Sequence, residues 1–235
     1  MWQNKYKKAI TLSYDDGIKQ DIRLVQLLNK YHLKATFNIN TGLSDSSFDF
    51  FINGHRIEHM SFEDMISLYH GHEIAVHTVT HPFLTSLSDR EIEKEIVDDI
   101  TNIDYVFKQK PVGMAYPYGS YDDRVVDCVK ASGLKYARTV ESSYQTIQQT
   151  DLFRFKPTCH HNDPKLDEII NHFFAYEGDE PQILYLWGHS YEADVDQLWD
   201  YLDNLFKKIS GHSDVFYGTN REVLLQDILL METCN

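Results

Sequence analysis

Short unbroken apolar runs alternate along this chain with longer stretches in which apolar residues recur every three or four positions. The first pattern marks strands buried on both faces, and the second marks amphipathic helices. Residues 9–14 read as a buried strand, and residues 21–31 as a helix with Ile22, Val25, Leu27 and Leu28 at helical spacing. Residues 35–39 form a second strand and residues 73–76 a third. Between them Ser61 is an N-cap, with Asp64 three residues on, for a helix that runs to Tyr69 and ends at Gly71. Ser88 and Glu91 make a capping box that opens a long helix to Phe107. Strands at 112–116 and 135–140 flank a helix at 122–131, which stops at Gly133. Residues 141–150 read as a polar loop and residues 152–155 as a short sixth strand. A helix at 164–176 follows, with Pro164 near its first position, then a strand at 183–187. A helix at 195–209, a strand at 215–217 and a closing helix at 221–230 complete the chain.

Strand–helix units in unbroken succession predict a parallel α/β architecture in a single domain, residues 1–235. No G-x-G-x-x-G follows the first strand, so the dinucleotide-binding open sheet loses support to a TIM-barrel-like barrel. In a barrel the chemistry sits at the C-terminal ends of the strands, so polar clusters should follow the apolar runs. Residues 42–56 are the longest early insertion and are placed as a lid or a rim.

The polar clusters fall there. Asp15-Asp16-Gly17 follows the first strand: two adjacent carboxylates pointing in different directions, with a glycine for a tight turn. His77-Thr78-Val79-Thr80-His81 follows the third, and histidines at i and i+4 share one face and can share a cation. Thr78 stands where H-E-x-x-H has its glutamate, so a general base must come from elsewhere. Tyr116-Pro117-Tyr118-Gly119 follows the fourth strand, either as a plain turn or as an aromatic platform with a backbone oxyanion donor. Trp187-Gly188-His189 ends the penultimate strand and offers an acid/base histidine. Together these supply an Asp-His-His metal site with an open position, a base and an acid.

Composition narrows the function classes. With 22 Lys+Arg against 36 Asp+Glu the net charge is −14, which excludes a general nucleic-acid binder. No apolar run is long enough to span a membrane. The three cysteines, Cys128, Cys159 and Cys234, form no C-x-x-C pair and read as reduced thiols. The N-terminal apolar stretch is short and is broken by Asp15-Asp16, unlike a signal peptide, so the expected location is cytoplasmic. His70 and His72 flank a helix end, where a cationic imidazole suits the dipole. His160-His161 lack ligand spacing and are placed at the rim, and Phe107, Phe173, Phe174 and Phe206 are placed in the core.

These residues resemble the polysaccharide deacetylases, the NodB-homology or carbohydrate esterase family 4 group. The family's T-F-D-D-G is similar to Ser13-Tyr14-Asp15-Asp16-Gly17, and its H-[ST]-x-x-H to His77-Thr78-Val79-Thr80-His81. Its R-x-P-[YF]-G is matched in part by Ala115-Tyr116-Pro117-Tyr118-Gly119. Its Leu-rich strand ending in His is similar to Leu184-Tyr185-Leu186-Trp187-Gly188-His189. The motifs keep the family's order from about residue 8 to residue 228. The resemblance implies a distorted (β/α)7 barrel and one divalent metal, zinc first, with Co2+, Ni2+ or Mn2+ as alternatives. It implies hydrolysis of an N-acetyl group on a carbohydrate. By position, Asp16, His77 and His81 resemble the ligands, Asp15 the base, His189 the acid, and the Tyr118 N–H the oxyanion donor; Tyr116, Pro117 and Trp187 accompany them at the substrate. The family's arginine is Ala115 here, and Arg138, at the end of the fifth strand, is the candidate replacement. The aspartate that in the family orients the acid histidine has no clear match, and Asp194 or Glu192, just past His189, is the candidate substitute. The alternatives are a metal-dependent amidase or esterase for a small non-sugar substrate, and a catalytically dead glycan-binding homologue. Oligomeric state is left open.

Overall fold

In the computed structural model, which describes residues 1–3, 5–44 and 49–226, the first strand is the axis of the molecule. Strand β1 (Lys8–Asp16) is buried along all nine residues because it has neighbours on both sides. Strand β2 (Thr36–Ile39) follows helix α1 (Asp21–Lys30) and pairs with the last part of β1, Ser13 to Asp16. A hairpin comes next, β3 (Asp49–Ile52) and β4 (His55–Glu58). Its two-residue turn, Asn53-Gly54, has φ of 49° and 83°, the left-handed pair that suits the strand twist. The insertion at 42–56 is therefore a small antiparallel ribbon at the rim, and its residues 45–48 lie outside the described set.

Helix α2 (Phe62–Leu68) starts at Ser61, whose side chain accepts the Asp64 N–H, and leads to β5 (Glu73–Val76), which lies beside β2. The capping box of Ser88 and Glu91 starts helix α3 (Asp89–Phe107). A cap of this kind contributes about 1 kcal/mol. The buried stripe of α3 is Ile92, Ile96, Asp99 and Ile103, so one carboxylate stands in an apolar row. Strand β6 (Gly113–Ala115) follows, then α4 (Asp123–Ala131), capped by Asp122, and β7 (Tyr136–Arg138). Gly113 has no room for a side chain: a Cβ there would lie 1.9 Å from the Tyr136 ring.

The expected sixth strand at 152–155 is instead a 3-10 turn, Leu152–Arg154. The Asp151 carboxylate accepts the N–H groups of Phe153 and Arg154 and so holds the chain in a turn. Only Phe155 pairs, through one parallel bridge to Arg138, and the strand proper is β8 (Cys159–His160). Helix α5 (Leu166–Ala175) begins after Pro164, and β9 (Gln182–Gly188) runs along β1 from Lys8 to Tyr14. The helix expected at 195–209 is two: α6 (Glu192–Val195) and α7 (Trp199–Ile209). Gln197, at φ 56°, breaks them, and the Trp199 indole N–H bonds back to Asp194. Helix α7 buries Leu202, Leu205, Phe206 and Ile209, each stabilising by about 1.5–3 kcal/mol. Strand β10 (Val215–Tyr217) pairs with the first part of β1, and α8 (Asn220–Leu224) closes the described chain. Residues 227–230 of the expected last helix lie outside the described residues, as does Cys234.

The sheet is parallel, in the order β7-β6-β5-β2-β1-β9-β8, with β10 on the flank of β1. The Arg138–Phe155 bridge brings the β7 edge to the segment that becomes β8, so seven strands curl into a distorted (β/α)7 barrel. Phe173 and Phe206 are buried in the core, and Phe107 and Phe174 pack against it. Cys128 and Cys159 carry free thiols. No described helix is long and apolar enough to cross a membrane.

Candidate active site

Two strand ends make the first wall. Asp15 and Asp16 finish β1, and His77 follows β5 on the neighbouring side of β2. The backbone is bent hard here: Asp16, Thr78 and His81 have φ of 83°, 68° and 56°. Non-glycine residues take such angles only where their surroundings enforce them. Here the enforcers are polar. The Asn40 amide donates to the carbonyls of His77 and Thr78. The odd carboxylate of α3, Asp99, accepts the His77 N–H at 3.1 Å, the Thr41 N–H at 3.0 Å and the Thr41 hydroxyl at 2.6 Å. Burial raises the Asp99 pKa to about 7 against the pull of those donors.

The bend brings three donor atoms together. Asp16 Oδ1 lies 3.7 Å from Nε2 of both His77 and His81, and the two Nε2 atoms are 3.1 Å apart. His77 Nδ1 is 2.8 Å from the Ala115 carbonyl, which can only accept, so Nδ1–H donates to it and Nε2 keeps the lone pair. That is how a ligating imidazole is held, and two nitrogens with one carboxylate suit zinc and similar divalent ions. Burial and the neighbouring His77 lower the His81 pKa to about 4, so its imidazole is neutral and able to ligate.

The second wall comes from the other half of the barrel. Arg138 is no surface arginine: it is 1% exposed, with Nη2 donating to Asp15 Oδ1 at 2.6 Å and also to Oδ2, and Nη1 donating to the Thr139 carbonyl. It pairs in register with Ala115 on the adjacent strand, so its guanidinium enters the site from one strand over. The Trp187 ring covers the guanidinium at 4.5 Å. Asn38 adds a 2.8 Å hydrogen bond to Asp15. Burial works to raise the Asp15 pKa, but the charges of Arg138, His77 and His189 outweigh it and hold the carboxyl well below the usual range.

His189 follows β9, with Nε2 4.0 Å from oxygens of both Asp15 and Asp16. Its Nδ1 lies 3.2 Å from Glu192 Oε1, and its own N–H bonds to Oε2. Burial works against a charged imidazole there, but Glu192 and the two aspartates raise its pKa to about 9. Of the two candidate orienting carboxylates, Glu192 faces His189, while Asp194 is taken by Trp199. The same Glu192 carboxylate also meets His160 and His161, each at 3.1 Å. The three imidazoles outweigh burial and keep Glu192 ionised, well below the usual carboxylate range. His160-His161 is thus no rim pair: His161 is fully buried.

Between the walls lies a cavity of about 560 Å3. Tyr118 stands at its mouth at φ 56°, stacked on Phe83 and edge-on to His81. Tyr116 lines the cavity, but its hydroxyl donates to the Phe153 carbonyl at 2.8 Å, and Pro117 is buried in the turn behind it. The hairpin contributes Phe50 and Ile52, and Tyr191 closes that side against Phe50. His72, expected as a helix-end cation, instead accepts the Ala35 N–H, and burial lowers its pKa to about 4.

Sequence reasoning missed Asp99 and Asp21. Asp21 is buried at the start of α1 and accepts from Ser190 at 2.6 Å and Tyr69 at 2.5 Å, which ties the loop after β9 to α1. Asp99 had a readable signal, a carboxylate inside the buried stripe of a helix. Asp21 read only as an ordinary acidic residue in a first helical turn.

Known proteins share both sequence and fold with this chain. A chitin deacetylase of Cryptococcus neoformans is 32% identical over 131 residues, which are 54% of this chain and 25% of that protein. The chain thus matches only about a quarter of that relative's length. A peptidoglycan-N-acetylglucosamine deacetylase of Bacillus cereus is 26% identical over 174 residues, 71% of this chain and 66% of that protein. The family 4 carbohydrate esterase from Streptomyces lividans, solved in complex with acetate, has a similar fold, with a TM-score of 0.57 at 17% identity over 91% of this chain and 93% of that one. The sequence model described as polysaccharide deacetylase matches residues 3–137, from before β1 to the middle of β7, and with more than half of its length so matched this chain belongs to the polysaccharide deacetylase family.

Proposed function

We propose that this chain is a metal-dependent hydrolase that removes N-acetyl groups from an amino sugar or an N-acetylated glycan. The observation that carries the reading is the convergence on one cavity of the Asp16, His77 and His81 donor atoms with His189, 4.0 Å from both aspartates. The donor set fits a divalent metal, zinc first: two imidazole nitrogens and one carboxylate oxygen lie within 4.8 Å of one another, with His77 fixed through its far nitrogen. When bound, the metal would supply Lewis acidity to the acetyl carbonyl.

The protein's own groups account for the protons. Asp15, held ionised by Arg138, accepts a proton from the attacking water as the new C–O bond forms. The Tyr118 N–H, which bonds to no other group among the described residues, donates to the oxyanion. His189, kept protonated by Glu192, delivers its proton to the departing nitrogen, because an amine leaves poorly until protonated. Asp99 and Asp21 do not line the cavity, while Asn40 does. All three hold the backbone that presents the site.

The apolar side of the cavity, Phe50 and Ile52, favours a second reading: an amidase or esterase for a small non-sugar substrate. One experiment separates the two. Zinc-loaded protein is assayed for acetate release from N-acetylated chito-oligosaccharides, from small acetamides and from acetate esters. The first reading expects release from the amino sugars. Turnover confined to the small amides or esters supports the second, and no turnover on any of them sinks both.

A further inference from the structure

Among the described residues, a second group of metal-ligating side chains beside the Asp16–His77–His81 triad is His160, His161 and Glu192, whose nearest ligand atoms lie within 4.8 Å of one another. It is built from the end of β8 and the start of α6. Gly188 makes the room: a Cβ there would fall 2.5 Å from the His161 ring.

The hydrogen-bond pattern points at a cation. His160 Nδ1 lies 2.7 Å from the acceptor Asn162 Oδ1, a closer contact than the 3.4 Å approach of the Asn162 N–H, so Nδ1 carries the proton and Nε2 presents a lone pair. His161 Nδ1 lies 3.3 Å from the Tyr14 hydroxyl, which can donate or accept. Its Nε2 is fully buried and makes no hydrogen bond among the described residues, although Glu192 Oε2 is 3.1 Å away. Two ring nitrogens therefore face one carboxylate oxygen at 3.1 Å each. A lone pair on either nitrogen is repelled by that oxygen unless a proton or a cation sits between them. Zinc ligands at about 2.0–2.2 Å and tetrahedral angles stand about 3.3 Å apart, close to these separations. Far-nitrogen anchoring by a side-chain oxygen is also what ligating histidines show.

We propose that His160, His161 and Glu192 bind a second divalent cation of the zinc class, beside the catalytic cavity and distinct from the Asp16–His77–His81 site. The site does not depend on the function proposed above. It adjoins that chemistry through Glu192, whose other oxygen faces His189.

The test is metal content after zinc loading and dialysis, measured by atomic emission. The whole chain should hold two equivalents, His160→Ala one and His77→Ala one, with the two variants losing different ions. Because His160→Ala leaves a hole beside a buried imidazole, a second measurement uses unmutated protein. Crystals soaked in zinc should show an anomalous peak about 2.0–2.2 Å from Nε2 of both His160 and His161. A single equivalent that His77→Ala removes and His160→Ala keeps, with no peak at His160, overturns the proposal and leaves a protonated hydrogen-bonded hub. A single equivalent lost only in His160→Ala supports this site and overturns the metal site of the proposed function instead.

Discussion

The two walls of the cavity are built in opposite ways. The wall of Asp15, Asp16, His77 and His81 comes from two short motifs in which the chemistry-bearing residues are sequence neighbours. It is shaped by the backbone, with left-handed φ at Asp16, Thr78 and His81 pinned by Asn40 and Asp99. The wall of Arg138, His160, His161, His189 and Glu192 is gathered from three separate stretches of chain. It is shaped by charge: each member is held by an oppositely charged or hydrogen-bonding partner rather than by a turn. The family match ends at residue 137, so it covers the first wall and none of the second. A motif-built wall tolerates little change in its spacing. A charge-built wall can draw its groups from separate strands, as Arg138, in register with Ala115 on the neighbouring strand, reaches Asp15.

The largest expected effect tests the first wall. His77→Ala removes a donor atom and the anchor to Ala115, and turnover should fall about 10^3-fold or more, with the triad's equivalent of metal lost in equilibrium dialysis. Arg138→Ala comes next. It leaves Asp15 buried without its partner, and breaking such a pair costs about 3–5 kcal/mol of stability, readable as an earlier midpoint in urea. Metal should stay bound, and turnover should drop because the base is no longer held. Arg138→Lys should recover little, since a point charge does not reproduce the planar fork beneath Trp187.

Glu192→Gln should act more gently and through pH. The His189 pKa is raised to about 9 partly by Glu192, so its protonated form is the one favoured below that value. Removing the carboxylate charge lowers the His189 pKa, and the alkaline limb of the kcat/KM profile should move to lower pH. An unmoved limb would detach Glu192 from the acid. By linkage, a histidine raised on folding adds stability that is complete below its unfolded pKa and is lost as pH rises through about 9, so the variant should narrow the gap in stability between pH 6 and pH 10. The smallest effect belongs to the rim. Phe50→Ala should raise KM a few-fold with kcat near normal, because the ring lines the cavity at a distance from the charged groups.

How much of this was legible in the sequence follows the same division. The strand–helix alternation, the caps at Ser61 and Ser88 and the clusters at the strand ends are local signals, and each lies where its pattern places it. Leu152–Arg154 was misread because its apolar run ignored Asp151, whose carboxylate captures two N–H groups and turns the chain. The helix at 195–209 was misread because periodicity does not register one left-handed residue, Gln197. The convergence of His160, His161 and Glu192 left no trace in spacing, since about thirty residues separate the pair from the carboxylate and only the β8–β9 pairing joins them. Arg138 was visible as a strand-end arginine, and the family resemblance rather than any spacing tied it to the base Asp15, 123 positions away.

In the proposed function the first wall holds the catalytic metal's donors and the base Asp15, and the second supplies the acid His189 with Glu192 to position it. The most direct test measures bound zinc and acetate release from N-acetylated chito-oligosaccharides on the same samples of the unmutated chain, His77→Ala and His189→Gln. The unmutated chain should bind zinc at the triad and release acetate, His77→Ala should do neither, and His189→Gln should keep that zinc while its acetate release falls about 10^2–10^4-fold. Undiminished acetate release by His189→Gln, or by His77→Ala stripped of its zinc, would contradict the account.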